Sequence, residues 1–258
     1  MPVMERKIQF HCCTVYRRSW FSIFFLLCIQ IGNSWAGVTP AGTRIIMLEG
    51  QRQSPLMLAN KNFYPVVAQL WVDDGNLNNK PNTVRSPYMV LPPIFHMRAG
   101  SIQSVRLLST GQEQPLDRES LYWLNIYEIP PSGDGTKKAD EIAKMTITLR
   151  TQMKVIHRPK ALIALAETAA EKVQFSLEHN QLRVSNPTAY YITLSSIKLR
   201  HPNGESLKQV DMLAPFSQAH VDLQGISQVD QIDFTWLDDD GNGRDRHAVL
   251  STPLLNTP

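Results

Sequence analysis

Beyond residue 36 this 258-residue chain contains no cysteine; Cys12, Cys13 and Cys28 all precede that point. The remaining 222 residues therefore use no disulfide, no Cys-ligated zinc and no cysteine nucleophile. Catalytic signatures are missing as well. There is no G-x-S-x-G elbow, no H-E-x-x-H zinc helix and no phosphate-cradling glycine loop. His96, His157, His179, His201, His220 and His247 are scattered without ligand spacing and read as surface or packing histidines. No metal, cofactor or enzymatic activity is expected. Helical periodicity is nearly absent too, which leaves β structure.

What is present begins with a leader. Arg6, Lys7, Arg17 and Arg18 precede the apolar run "FSIFFLLCIQI" at residues 21–31, and "NSWA" comes after it, with small residues at Ser34 and Ala36. This is the layout of a secretory signal peptide (1–36) cleaved after Ala36. The run falls short of the roughly 20 residues that span a bilayer, so no stable membrane insertion of the mature chain is expected. Removing 36 of 258 residues leaves 222, enough for one large domain or two of about 100 each. The leader also takes four of the 26 Lys+Arg and one of the 23 Asp+Glu, leaving 22 of each. The net charge of +3 thus belongs to the precursor and gives no argument for nucleic acid.

Short apolar segments recur between turn formers, the pattern of an all-β sandwich. "GTRIIMLE", "PLMLAN", "PVVAQLWV", "YMVLPPIF", "SVRLLS", "LYWLNIYEI" and "KMTITLRTQMKVI" read as seven strands, the count of an immunoglobulin-like sandwich. Pro159 cannot donate to a ladder, which sets a first domain at 37–158. "ALIALAETAAEK" is the one segment with helical propensity. "VQFSLEHNQLRVSNPTAYYITLSSIKL", "VDMLAPFSQAHVDL" and "QIDFTWLD…HAVL" then build a second, smaller sandwich at 159–258. In "DDDGNG", Asp238, Asp240 and Asn242 imitate the start of a calcium loop, but Val249 stands where the bidentate Glu is needed. A hairpin turn is the reading. Trp71, Trp123 and Trp236 lie in strand-like segments and read as core.

The stretch "KMTITLRTQMKVIHRP" is longer than a sandwich strand requires. Apolar Met145, Ile147 and Leu149 alternate with Thr146, Thr148 and Arg150. Those three either face the home core or serve a partner by β-augmentation, each contributing about 1.5–3 kcal/mol on burial.

"PLDRESLYWLNIYEIPP" at residues 115–131 resembles the signature of periplasmic pilus-assembly chaperones of the chaperone–usher pathway, through Asp117, Arg118, Glu119, Asn125, Ile129 and Pro130. Gln114 departs from it, since the family prefers an apolar residue there. "GTRIIMLEG" resembles the family's first strand, "LRTQMKVIHRP" its last domain-1 strand and hinge, and "NPTAYYIT" and "MLAPFS" a strand and turn of its second domain. The resemblance implies two immunoglobulin-like sandwiches in tandem, set at an angle around a cleft. It implies a non-enzymatic periplasmic chaperone that binds nascent pilins by donor-strand complementation and delivers them to an outer-membrane usher. Arg44 and Lys154 match the cations that anchor the subunit's C-terminal carboxylate, and Met145, Ile147 and Leu149 match the donor strand. Glu119, Arg158 and an aspartate of "DDDG" match an interdomain ionic network; Asp239 fits best, with Asp238 and Asp240 open. Lys154 has the opposite parity to Leu149, which calls for a bulge or twist between them. The dozen or so residues at 130–142 and the lack of cysteine resemble the short-loop branch, although members of that branch often carry a second-domain disulfide that this chain lacks. A free apolar edge would be covered by a self-capping homodimer or a folded-back loop. The rival readings are a secreted two-sandwich adhesin or pilus structural component, for which the tail "VLSTPLLNTP" is a poor donor, and an enzyme or carbohydrate-binding module on the same scaffold.

Overall fold

The computed structural model describes residues 37–81, 85–131, 147–178, 180–226, 228–248 and 250. The leader and Met145 lie outside the described residues. Nine strands come first: β1 (Val38–Pro40), β2 (Arg44–Leu48), β3 (Gln53–Asn60), β4 (Val66–Asp73), β5 (Tyr88–Leu91), β6 (Ile94–Met97), β7 (Ile102–Ser109), β8 (Ser120–Ile129) and β9 (Leu149–Arg158). They form a four-stranded sheet, β1-β3-β7-β5, and a five-stranded sheet, β2-β9-β8-β4-β6. Pairing is antiparallel except between β2 and β9, which run parallel.

Alternation decides which side chains meet. Successive Cβ atoms of a strand point to opposite faces, so Val66, Ala68, Leu70 and Val72 of β4 go inward together. They meet Met47, Leu58, Leu107, Leu124, Ile126 and Val155 in one buried core between the sheets. The same parity sends Trp71 and Trp123 outward. Both were expected in the core and both lie instead on the outer face of the five-stranded sheet, where Arg150 sits 4.9 Å from the Trp71 ring and Lys154 5.8 Å from the Trp123 ring.

The expected single strand "YMVLPPIF" is two. β5 pairs with β7 in one sheet and β6 with β4 in the other, with Pro92 and Pro93 between them. Proline supplies no ladder donor, so the pair makes the corner at which the chain changes sheets. β1 was not anticipated at all.

The one segment with helical propensity forms two short 3-10 turns, Lys160–Leu165 and Ala169–Lys172. Seven more strands follow among the described residues: β10 (Gln174–Glu178), β11 (Gln181–Ser185), β12 (Leu194–His201), β13 (Gly204–Lys208), β14 (Gln218–Asp222), β15 (Gln231–Leu237) and β16 (Gly243–Ala248). They make a three-stranded sheet, β10-β11-β14, and a four-stranded sheet, β13-β12-β15-β16. Phe175, Leu182, Ile197, Leu199 and Ile232 centre their core. Residues 186–191, expected to continue a strand, form a loop. Asn186 holds it by donating to the carbonyls of Tyr190 and Ala214 at 2.8 Å each. "DDDGNG" is a hairpin turn between β15 and β16, which pair from Ile232↔Ala248 to Leu237↔Gly243.

Candidate functional site

Strand β9 has two unlike halves. Residues 154–157 are paired on both sides, with β8 and with β2, and the β2 register runs from Arg44↔Lys154 to Leu48↔Arg158. Residues 149–153 pair with β8 only; among the described residues no strand occupies their other edge. The pairing with β8 runs without a shift from Glu128↔Leu149 to Ser120↔His157. The bulge expected between Leu149 and Lys154 is therefore absent. Leu149, Met153 and Val155 share the core face, and Arg150, Gln152 and Lys154 share the outer face. Leu149 carries the core face beyond the rim of the core at 47 % exposure, and Ile147 ahead of the strand is 62 % exposed. The expected strand segment before Leu149 is not strand at Ile147 and Thr148, and residues 144–146 lie outside the described residues.

The outer face is ordered by Asn125 of the signature. Its Oδ1 accepts from Arg150 Nε at 2.8 Å and from Gln152 Nε2 at 3.0 Å. Arg150 also donates to buried Asp73, at 3.1 Å, and to the Leu77 carbonyl, at 2.7 Å. These bonds hold the polar side chains of β9 against its own sheet and leave the odd-numbered side chains to the opposite face.

Where β2 meets β9, two cations stand on adjacent strands, whose backbones lie about 4.8 Å apart. Lys154 Nζ donates to Thr193 Oγ1 at 3.3 Å, and Arg44 Nη1 to the Leu237 carbonyl at 3.5 Å. Both acceptors are neutral and belong to the second sandwich. Burial lowers the Lys154 ammonium below its ordinary value, and the neighbouring Arg44 lowers it further. Burial lowers the Arg44 guanidinium too, against the opposing pull of Asp239, Asp238 and Glu119. Arg44 Nε is buried without a hydrogen-bond partner among the described residues. Two half-buried cations and an orphaned donor suit a bound anion, and a carboxylate there makes charge-assisted bonds of about 1.5–3 kcal/mol each. Arg44 lines a cavity of ≈ 450 Å³ with Arg158, Tyr190, Tyr191, Trp236 and Asp239, drawn from both sandwiches.

Arg158, the last residue of β9, is 6 % exposed. Its Nε donates to Glu119 at 2.6 Å, and Nη1 and Nη2 donate to the two oxygens of Asp239 at 2.6 and 2.9 Å. The other Glu119 oxygen accepts the Tyr191 N–H at 2.7 Å. Burial alone would lower the Arg158 guanidinium, but Asp239 and Glu119 outweigh it and raise it above its ordinary value. Of the three aspartates, Asp239 is the one that reaches Arg158. Asp238 accepts the N–H groups of Asp240 and Asn242 and the Nε of Arg244, which closes the hairpin turn. That turn packs tightly on the first sandwich: Gly241 has φ +87°, and a Cβ there would lie 2.6 Å from Thr43 Oγ1. Arg118 of the signature sits 5.2 Å from the Phe216 ring, a further contact between the sandwiches.

Thr193, the Leu237 carbonyl, Asp73 and Trp123 were missed by sequence reasoning. For Trp123 the signal existed in the strand parity; for the two second-domain acceptors there was none. Among the described residues no group of three or more His, Cys, Asp or Glu could hold a metal ion.

Comparison with known proteins gives one consistent picture. Residues 37–163 match the family model described as pili and flagellar-assembly chaperone, PapD N-terminal domain, and residues 168–248 match that of pili assembly chaperone PapD, C-terminal domain. Chaperone protein HifB of Haemophilus influenzae is 32 % identical over 239 residues, covering 92 % of this chain and 98 % of the relative. Chaperone protein FimB/FhaD of Bordetella pertussis is 31 % identical, covering 84 % and 89 %. Among solved structures, the Pseudomonas aeruginosa CupB2 chaperone superposes with a TM-score of 0.69 at 27 % identity, over 82 % of this chain and 100 % of that one. The Salmonella enterica SafA pilin in complex with the SafB chaperone gives 0.70 at 26 % identity, over 83 % and 96 %.

Proposed function

The chain belongs to the family of pili-assembly chaperones, and from that premise we propose that it works in the periplasm, holding nascent pilus subunits by donor-strand complementation and passing them to an outer-membrane usher. It is an assembly chaperone and not an enzyme. Donor-strand complementation is itself a familiar case of strand addition at a sheet edge.

The observation that carries the mechanism is the one-sided pairing of residues 149–153. An edge that no described strand pairs with lies beside exposed Ile147 and Leu149 and ends on Arg44 and Lys154. In this reading a subunit strand adds along that edge. Met145, Ile147 and Leu149 fill its groove from the core-side face, and its terminal carboxylate rests between the two cations on the other. Opposite faces for the two jobs need no bulge.

The finer parts rest on the same premise. The leader ends at Ala36 and the domains meet at Arg158-Pro159, where the bonds of Arg158 to Glu119 and Asp239 set their relative orientation. The brief 130–142 connection and the cysteine-free mature chain support the short-loop branch. When free, the edge caps against a second copy of the chain.

The test is a pull-down of tagged mature protein from the native periplasm under pilus-inducing growth, beside Arg44→Ala and Lys154→Ala. Wild type should retain a small pilin-like protein, and each variant should lose it while giving unchanged circular dichroism. Equal retention by both variants would move the anchor elsewhere. No pilin-like protein with wild type would bring the adhesin reading forward.

A further inference from the structure

Glu128 is a buried carboxylate that the mechanism above does not use. It is 4 % exposed, and no ion pair among the described residues includes it. Oε2 accepts the Val38 N–H at 2.8 Å and Oε1 accepts Asn62 Nδ2 at 2.7 Å. Both oxygens accept, and neither of these bonds needs a proton on the carboxyl group. Asn62 is fixed in turn, its backbone and side-chain N–H groups both donating to Asn60 Oδ1 at 3.0 Å. Asn60 donates to the carbonyls of Tyr64 and Arg98 at 3.0 Å each. The cradle is buried and polar, and a charge held there without a counter-charge is costly.

Gly37 lies against it. A Cβ on Gly37 would be 2.2 Å from Glu128 Oε2 and 3.2 Å from Leu149 Cδ1, so any larger residue would displace the carboxylate. From that position, bond lengths and angles alone keep the Gly37 nitrogen within roughly 5 Å of Oε2. Its carbonyl accepts the Lys61 N–H at 3.1 Å, which holds the residue in place. While Ala36 is attached, the Gly37 nitrogen is a neutral amide. Once residues 1–36 are removed, it is a free α-amino group with an ordinary pKa of about 7.7–8.0.

We propose that Glu128, Asn62 and the Val38 amide form a receptor for the α-ammonium group created on Gly37 by leader removal, an ion pair that exists only in the processed chain. The inference rests on cleavage after Ala36. The pair sits at the root of the donor strand, because Glu128 is the register partner of Leu149, where β9 begins. Processing then firms the point from which the donor segment projects, and the chaperone reaches its full stability after the leader is gone.

Four proteins test this: chains starting at Gly37 or carrying one added Ala before it, each with Glu128 or with Glu128→Gln, all released by a protease that leaves a defined N-terminus. The added Ala should lower Tm by about 2–4 °C in the Glu128 background and by less than about 1 °C in Glu128→Gln. An equal drop in both backgrounds overturns the ion pair. A second measurement covers a poorly folding Glu128→Gln: NMR titration of the Gly37 α-amine, expected at least one unit above its ordinary value of about 7.7–8.0. An unshifted amine overturns the proposal as well. Intact mass of the exported protein tests the premise separately. A first residue other than Gly37 overturns the cleavage position and the receptor together, whereas the correct first residue with equal Tm drops overturns the receptor alone.

Discussion

The two halves of β9 share one backbone and one register, yet they are built for different ends. Residues 154–157 have a strand on each side, and residues 155–158 are buried, by the first core and by the contacts with the second sandwich. Residues 149–153 have one neighbouring strand among the described residues, and the run grows more exposed toward Leu149. The rear half supplies rigidity and the front half supplies an unfilled edge. A chaperone that lends a strand needs both, since a donor hung on a loose base would incur the ordering cost again at each binding event.

Substitutions should separate the halves cleanly. The largest stability loss is expected for Arg158→Ala, which leaves buried Glu119 without its cation. Breaking a buried pair from one side costs about 3–5 kcal/mol, read as a lower urea midpoint. Next comes a matched pair in the strand itself. Met153→Ala empties a site 2 % exposed and should cost about 2–5 kcal/mol of chaperone stability. Leu149→Ala, at 47 % exposure, should change stability by less than about 0.5 kcal/mol while weakening pilin capture. If both changed stability equally, the division of the strand would fail.

The smallest effect is a pH dependence confined to the rear half. His157 is buried, its Nδ1 bonded to the Tyr88 hydroxyl at 2.8 Å, and burial lowers its pKa below 6.5 against the opposing charge of Glu49. The unfolded chain therefore takes up this proton first as pH falls. The contribution is present above pH 6.5 and is lost as pH drops from there through the folded value. Urea midpoints between pH 7.5 and 5, about the span over which histidines titrate, should fall less steeply for His157→Phe than for wild type.

Much of the fold was legible in the sequence, and the failures share a cause. Turn residues and period-2 alternation marked most strands, because a strand with one buried face writes that face into its sequence. Trp71 and Trp123 were misread by applying hydrophobicity without parity: Leu70 and Val72 point inward, so Trp71 between them points out. The bulge expected before Lys154 had a different source: parity was applied, but the donor residues and the anchor were assumed to need one face, whereas the unshifted strand uses both. "YMVLPPIF" was read through its prolines instead of being broken at them. For the site, Arg44, Lys154, Glu119, Arg158 and Asp239 were named from a motif and lie together at the cleft. Thr193 and the Leu237 carbonyl could not be named, because a neutral hydroxyl and a backbone oxygen acquire a role only when two domains meet. Glu128 did leave a trace, as an acid inside the apolar strand "LYWLNIYEI".

Arg44 and Lys154 pair across 110 positions of chain, in the one parallel strand pairing of the first sandwich among the described residues. Contacts of such sequence separation form late, since the long loop must close before any of them can be gained. β2 therefore waits for β9, and the acceptors Thr193 and Leu237 arrive later still during synthesis. The cation pair is in this sense a completion mark. If the two cations anchor the subunit as proposed above, a chain whose second sandwich is still unfolded has only part of that anchor to offer.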